Sequence, residues 1–251
     1  MRTADWTESV SVLDRLTAVF EAFGDEDEGL GVSEIARRAN LPKSTVSRIA
    51  ADLVGQQFLE REGDKLFLGV RLFELGQAVE QPRSLRRAAL PVMTELRNLT
   101  GQTVNLAVLE GVEVVIIATV RGDAASKPPA RIGGRLPAHA TALGKAILAF
   151  GPSIAVSRLG DLGLTRRTPR TICDIAELQR ELIDVRRNGI AVEREECVTG
   201  RVCVATPISL HSADTLAAIS VTGTVDQLVP ERMASAVRAA GLSLGRPVGM
   251  G

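Results

Sequence analysis

Two short amphipathic helices separated by only three residues constrain this chain more than any other feature of it. The first opens at Ser33, a good N-cap, and turns Ile35, Ala36 and Ala39 to one side. Asn40-Leu41-Pro42 is a tight connection, and Pro42 suits the start of the second helix. That helix runs from Lys43 to about Gln57, with Val46, Ile49, Ala50, Leu53 and Val54 as its buried stripe. So short a link makes the first helix brace the second. Upstream, residues 10–23 place Val12, Leu13, Leu16, Val19, Phe20 and Phe23 at helical spacing, closed by Gly24 and the run Asp25-Glu26-Asp27-Glu28. Downstream, Phe58-Leu59-Glu60-Arg61 and Leu66-Phe67-Leu68 flank a Gly63-Asp64 turn and read as a hairpin.

Three helices and a hairpin in this order form the winged helix-turn-helix pattern. The face opposite the second helix's buried stripe carries Ser44, Thr45, Ser47 and Arg48, whereas a protein-docking helix would more often expose apolar residues there. Such a helix enters the major groove by its N-terminal end. Thr45, Ser47 and Arg48 are the candidates for base edges, Ser33, Lys43 and Ser44 for phosphates, and Lys65 for a contact from the hairpin. Net charge is zero over the 251 residues, but it is divided unevenly. Residues 1–81 hold 9 Lys+Arg against 15 Asp+Glu, and residues 82–251 hold 21 against 15. Globally the N-terminal part is too acidic for a DNA binder. Locally, residues 33–51 set Arg37, Arg38, Lys43 and Arg48 against Glu34 alone.

Helical spacing resumes with Val70, Phe73, Leu75 and Val79, read as a linker helix. A further helix over 84–99 contains Pro91, a candidate kink, and stops at Gly101. Beyond it the texture becomes β-branched. Thr103–Leu109 and Val112–Val120 form a hairpin about Glu110-Gly111, followed by a loop from Arg121 to Pro129 and an extended segment from Arg131 to Pro137. Helices are expected from His139 to Phe150, Ile154 to Leu159, Asp174 to Asn188 and Pro230 to Leu244. Strands are expected over 190–194, 201–210 and 216–221, the last two joined by His211-Ser212-Ala213-Asp214. The outcome is an α+β chain of three parts: a winged helix-turn-helix over 1–69, a linker helix over 70–82 and a larger α+β domain over 83–251. A hydrophobic content of 45% excludes disorder over most of the length. The apolar run Val112–Val120 is far short of the roughly 20 residues that cross a membrane. No signal-peptide core is visible, and three cysteines with no CxxC pair point to a reducing cytoplasm. Aromatics at 3% disfavour a base-stacking platform for single strands.

Several stretches in one order resemble the IclR family of transcriptional regulators. GVSEIARRANLPKSTVSRIAADLVGQQFLEREGDKLFLG is similar to that family's winged helix, and RLFELG to the start of its linker helix. GRLPAHATALGKAILA, the long segment LTRRTPRTICD…VATPI and AAISVTGTVDQL follow in the expected sequence. The resemblance implies a DNA-binding dimer, often paired into tetramers, with a GAF-like domain that takes a small organic acid. A repressor is the expected sign of control, with operator DNA and the effector as partners and no cofactor. It also implies a pocket. The backbone amides of Ala142 and Leu143 would meet the effector's carboxylate, with Leu136 as an apolar wall and Glu193, Cys203, Ser220 and Thr222 opposite. Ser220 and Thr222 flank Val221, so alternation puts both on one face of a strand. The chain departs from the family pattern in having Glu193 for Asp, Thr222 for Ser and the large Leu143.

Other classes leave fainter traces. His139, Cys197 and Cys203, with His211, could approach a zinc ion, but no pair has a strong ligand spacing. Cys203 or Cys197 could sense redox state as a thiolate, with Arg201 the nearest cation in sequence. A non-DNA sensor and a cysteine-dependent enzyme complete the alternatives. GxSxG, HExxH and GxxxxGK[ST] are absent and histidines number two, so no enzymatic activity is expected. His139 has a plain structural role open to it, a hydrogen bond to backbone.

Overall fold

The computed structural model describes residues 11–24, 29–123, 131–209 and 217–245. The acidic run at 25–28, most of the loop after Arg121 and the link containing His211 lie outside them. The chain divides into two compact units, 1–80 and 81–251.

The first unit begins with α1 (Val12–Glu21). Ser11 and Asp14 exchange side chain-to-backbone hydrogen bonds of 2.9 and 3.0 Å, a reciprocal cap that fixes where it starts. β1 (Leu30–Gly31), α2 (Val32–Ala39), α3 (Lys43–Gly55), β2 (Leu59–Glu62), β3 (Lys65–Leu68) and α4 (Val70–Ala78) follow. Asn40 takes the left-handed conformation (φ 52°) that reverses the chain between α2 and α3, while Leu41 is buried beneath the turn. Val19, Ile35, Val46, Ala50, Leu53, Leu59 and Leu66 make the core. The antiparallel sheet runs β1-β3-β2 and includes a two-residue strand that sequence pattern did not disclose. That strand also moves the start of α2. Gly31 pairs with Lys65 in extended conformation, so the helix begins immediately afterwards and Gly31, not Ser33, is its N-cap. The α1 stripe reaches the core through Val19, Leu16, Phe20 and Phe23, but its first residues Val12 and Leu13 are 76% and 71% exposed, and no residue of α4 is buried.

In the second unit α5 (Glu80–Thr100) is one helix. The break from α4 falls at Val79 (ψ 106°) and not at Pro82-Arg83, because Pro82 lies in the first turn, where no backbone N–H is required. α5 continues through Pro91. β4 (Thr103–Glu110), β5 (Glu113–Val120), β6 (Arg135–Pro137), a 3-10 turn at Ala138–Ala140, α6 (Ala142–Phe150), α7 (Ser153–Leu162), α8 (Ile175–Asn188), β7 (Ala191–Arg194), β8 (Arg201–Ile208), β9 (Ala217–Thr224) and α9 (Pro230–Leu244) complete it. The strands form one antiparallel sheet in the order β6-β5-β4-β9-β8-β7. Alternation assigns its faces: Val202, Val204, Ile219 and Val221 pack with α5 and α9, while Cys203, Ala205 and Ala218 pack with α6, α7 and α8.

The single helix expected from His139 is interrupted. Thr141 is extended, and its hydroxyl caps α6 by accepting the amide of Gly144 at 3.1 Å. Close contact explains the interruption. A Cβ on Gly144 would lie 2.1 Å from the carbonyl oxygen of Ala138, so the chain folds back against a bare α-carbon. Gly144→Ala is therefore expected to cost about 1–3 kcal/mol in urea unfolding. Gly76→Ala on α4, with nothing within 4 Å, is expected to be neutral or mildly stabilising. Equal midpoints for the two variants would contradict the account.

Candidate functional site

On α3 the burial pattern divides the helix cleanly. Val46, Ala50 and Leu53 are buried; Lys43, Ser44, Ser47 and Arg48 are exposed, and Thr45 is half-buried. Its N-cap, Pro42, makes no side-chain cap, so the first-turn amides remain available where Lys43, Ser44 and Thr45 stand. Ser33 is exposed in the first turn of α2, and Lys65 is exposed just past the left-handed Gly63 of the β2-β3 turn. The structure revises the local charge count. Arg37 and Arg38 both bond Glu34, at 2.6 and 2.7 Å, and together hold its carboxyl down to about 2. Lys43 and Arg48 make no ion pair among the described residues, so they are the cations of this segment held ready for an outside anion.

In the second unit a cavity of about 30 Å³ opens between α6 and the sheet. Six of the seven side chains or backbones anticipated there line it: Leu136, Ala142, Leu143, Glu193, Cys203 and Thr222. Ser220 does not. It is fully buried opposite Asn105 and Ala205, and its Oγ has no partner among the described residues. Asn105, Ile116, Thr141, Cys197, Val198 and Arg201 also line the cavity and were not anticipated. Two of these had a legible signal: Asn105 is the one amide inside the apolar run TVNLAVLE, and Thr141 is a helix cap. The amides of Ala142 and Leu143 lie in the first turn of α6, where no intrahelical acceptor is available, and have no hydrogen-bond partner among the described residues, since Thr141 serves Gly144 and Lys145.

The polar side of the cavity is tied to a buried cation. Lys145 is 0% exposed, and its Nζ donates to Glu196 at 2.8 Å and Glu181 at 3.1 Å. The backbone of Glu196 then donates to Glu193 Oε1 at 2.5 Å, joined by the amide of Cys197 at 3.1 Å. Despite these bonds, burial pushes the Glu193 carboxyl up to about 7. Burial also raises Glu196, against the pull of Lys145. The Thr168 and Thr171 hydroxyls fasten this bend by donating to the carbonyls of Glu195 and Glu196 at 2.6 and 2.7 Å. His139 Nε2 pairs with the Thr165 carbonyl at 3.1 Å, the backbone bond foreseen for it, and burial lowers its pKa.

The cysteines do not look like sensors. Burial, with Glu193 nearby, pushes the Cys197 thiol up to about 11 and that of Cys203 to about 12, so both stay protonated and poorly reactive. Arg201 does not reverse this. Among the described residues no three of His, Cys, Asp and Glu converge as a metal would need, and His211 lies outside them.

A fold with an exposed polar recognition helix in one unit and a small polar-ended cavity in another defines a class of ligand-responsive regulators, and comparison with known proteins is specific about which. Residues 12–63 match the IclR helix-turn-helix domain, and residues 77–246 match the bacterial transcriptional regulator IclR C-terminal domain. The chain belongs to the IclR family of transcriptional regulators. It is 32% identical over 246 residues to the HTH-type transcriptional regulator XynR of Escherichia coli, spanning 96% of this chain and 98% of that one. It is 33% identical over 226 residues to the HTH-type transcriptional repressor AllR of Klebsiella pneumoniae, spanning 89% and 83%. Among solved structures, an IclR homologue from Microbacterium hydrocarbonoxydans complexed with 4-hydroxybenzoate superposes with a TM-score of 0.83 at 31% identity, covering 94% and 98%. IclR of Thermotoga maritima gives 0.74 at 28% identity, covering 93% and 96%. Among the described residues no helix is long and apolar enough to cross a membrane.

Glu193 yields a pH test. Folded, it holds its proton to about pH 7; unfolded, only to 4.5. Between these values the folded state binds more protons, so its contribution to stability is full below the lower value and is lost as pH rises towards the upper one. Glu193→Gln keeps the Oε1 acceptor and removes the titration. Urea melts of the two proteins should diverge by about 2 kcal/mol between about pH 5 and pH 7.5, the parent losing more. Parallel pH profiles would refute the assignment.

Proposed function

We propose that this chain is a transcriptional repressor that reads a pseudo-two-fold operator as a homodimer and is modulated by a small organic acid in the cavity of its second unit. The observation that carries the DNA reading is the exposed, polar, internally unengaged face of α3. Thr45, Ser47 and Arg48 are assigned to base edges. Lys43, Ser44 and Ser33 are assigned to phosphates, and Lys65 to a backbone contact from the β2-β3 turn. The repressor sign is supported by the naming of AllR, and the acid class by the 4-hydroxybenzoate complex of the Microbacterium protein.

Residues 1–69 are assigned to DNA, 70–82 to the linker and 83–251 to the effector, with Leu136, Ala142, Leu143, Glu193, Cys203 and Thr222 as ligand contacts and Ser220 behind them. Exposed apolar side chains on α1 and α4 (Val12, Leu13, Phe73, Leu75) support a dimer, with a tetramer as the larger alternative. A cytoplasmic, non-enzymatic role accords with the family and with the protonated thiols. A cavity of about 30 Å³ has room for roughly two waters, so an acid must widen it. A ligand that prefers the widened form can shift the protein between DNA-binding states by that difference in affinity and no more.

Selection of random duplexes against the full-length protein tests this reading. Enrichment of a roughly two-fold symmetric motif is expected, and its absence, with and without an organic-acid pool, would sink the reading. Arg48→Ala should relax base preference at defined positions, at about 1–3 kcal/mol per lost contact. Lys43→Ala should instead weaken all sequences alike and lower the salt slope by about one. Unchanged base preference in Arg48→Ala would remove that residue from the readout.

A further inference from the structure

We infer that the second unit also holds operator DNA: an arginine strip on the first turns of α5, Arg86 and Arg87 with Arg83 beside them, contacts backbone phosphates beyond those assigned to α2, α3 and the β2-β3 turn. The inference goes beyond the reading above and rests on its DNA-binding half.

The division of charge motivates it. A DNA binder draws its sequence-independent affinity from cations set against phosphates. Residues 1–81, which contain the reading helix, hold 9 Lys+Arg against 15 Asp+Glu, and Arg37 and Arg38 are engaged by Glu34. The positive surplus lies in residues 82–251, with 21 against 15. Part of it follows the reading unit directly. That unit ends at residue 80, and Arg83, Arg86 and Arg87 stand on the helix that begins there. All three fall within about 10 Å of the helix start.

Helical geometry gathers them. The spacing is i, i+3 and i+4, which is one face, and each of the three is exposed. The other face is committed to the core, where Leu85, Ala89, Met93 and Leu96 are buried with the sheet. No acid occurs between Arg83 and Thr94. Among the described residues Arg86 and Arg87 have neither an ion pair nor a hydrogen bond to the side chain. Like charges at these spacings repel and weaken a helix, and a row of phosphates relieves that repulsion. Each guanidinium can take a phosphate through two parallel N–H bonds. A lipid surface fits less well. A helix that lies on a membrane sets apolar residues beside its cations, and the apolar stripe of α5 is already buried. DNA is the polyanion that a transcriptional regulator meets.

The test uses the full-length protein and a duplex that extends one helical turn past the selected motif on each side, with affinity followed against KCl concentration. Arg86→Gln combined with Arg87→Gln should flatten log Kd against log[KCl] by about 1.8 for each bound protomer, since each lost phosphate contact removes about 0.9. Affinity at about 0.15 M salt should fall at least about fivefold, and a repeated selection should return the same motif. Arg86→Lys combined with Arg87→Lys keeps the charges and should keep most of the slope. Hydroxyl-radical cleavage should show a protected stretch of backbone that the Gln variant loses and the Lys variant keeps. Should the double variant fail to fold, the single variants carry the same comparison at about half the change in slope. An unchanged slope and footprint overturns the inference alone and leaves the α3 reading standing. A flattened slope with no lost protection means that the arginines act only through their field, and overturns the contact. Loss of binding to phosphatidylglycerol vesicles, with duplex binding intact, assigns the strip to a membrane and overturns the inference. Failure of the parent to select any motif overturns it together with the DNA reading.

Discussion

A fully buried ammonium governs the second unit. Lys145 sits in α6, a helix whose residues from Ala142 to Ala149 are all buried, and a charge there has no access to water. Such a group persists only if carboxylates come to it. Glu196 and Glu181 do so, and the consequences propagate. Drawing Glu196 inward forces the bend after β7, which puts two backbone amides on Glu193 and turns that carboxyl into the acidic wall of the cavity. Gly144, one residue before the lysine, lets the same helix press on Ala138, so that its free N-terminal amides form the opposite wall. Both ends of the cavity are thus positioned by neighbouring residues of one helical turn. A buried ion pair of this kind contributes little net stability, and its value here is positional.

Much of this was legible in the sequence for physical reasons that can be named. The α2-α3 turn, the wing and the capped α8 announce themselves because local chemistry decides them: Asn40 for a left-handed residue, Gly63 for a turn, Asp174 and Gly189 for the two ends of a helix. The cavity residues came from the family resemblance, and the fixed period of a strand added only that Ser220 and Thr222 share a face. What was hidden depends on partners distant in sequence. β1 exists only because Gly31 meets Lys65, and that pairing displaced the cap from Ser33. The helix at His139 broke because of a contact through Gly144 that no periodicity encodes. Ser220 lies on the foreseen face but behind the cavity, since a face assignment does not fix depth. Asn105 stands out as an amide in an apolar run, but its partners Thr119 and Thr222 are brought beside it only by strand order.

The same physics explains why an acidic N-terminal part can still meet DNA. Asp52 is the one acid within α3, and Glu34 is consumed by Arg37 and Arg38. Lys43 and Arg48 are left to act at a helix N-terminus that itself favours anions. With so few cations beside α3, sequence-independent binding by unit one should be weak, which places its burden of affinity on base contacts. An effector then needs only a modest difference in affinity between two DNA-binding states of the protein to matter.

That coupling is the central claim, and reciprocity tests it most directly. The affinity of the full-length protein for its selected operator is measured with and without a saturating concentration of the best-bound acid, and the affinity for the acid with and without operator. The account predicts that each changes the other by the same factor, about fivefold or more. Operator affinity that does not respond to an acid shown to occupy the cavity would contradict it.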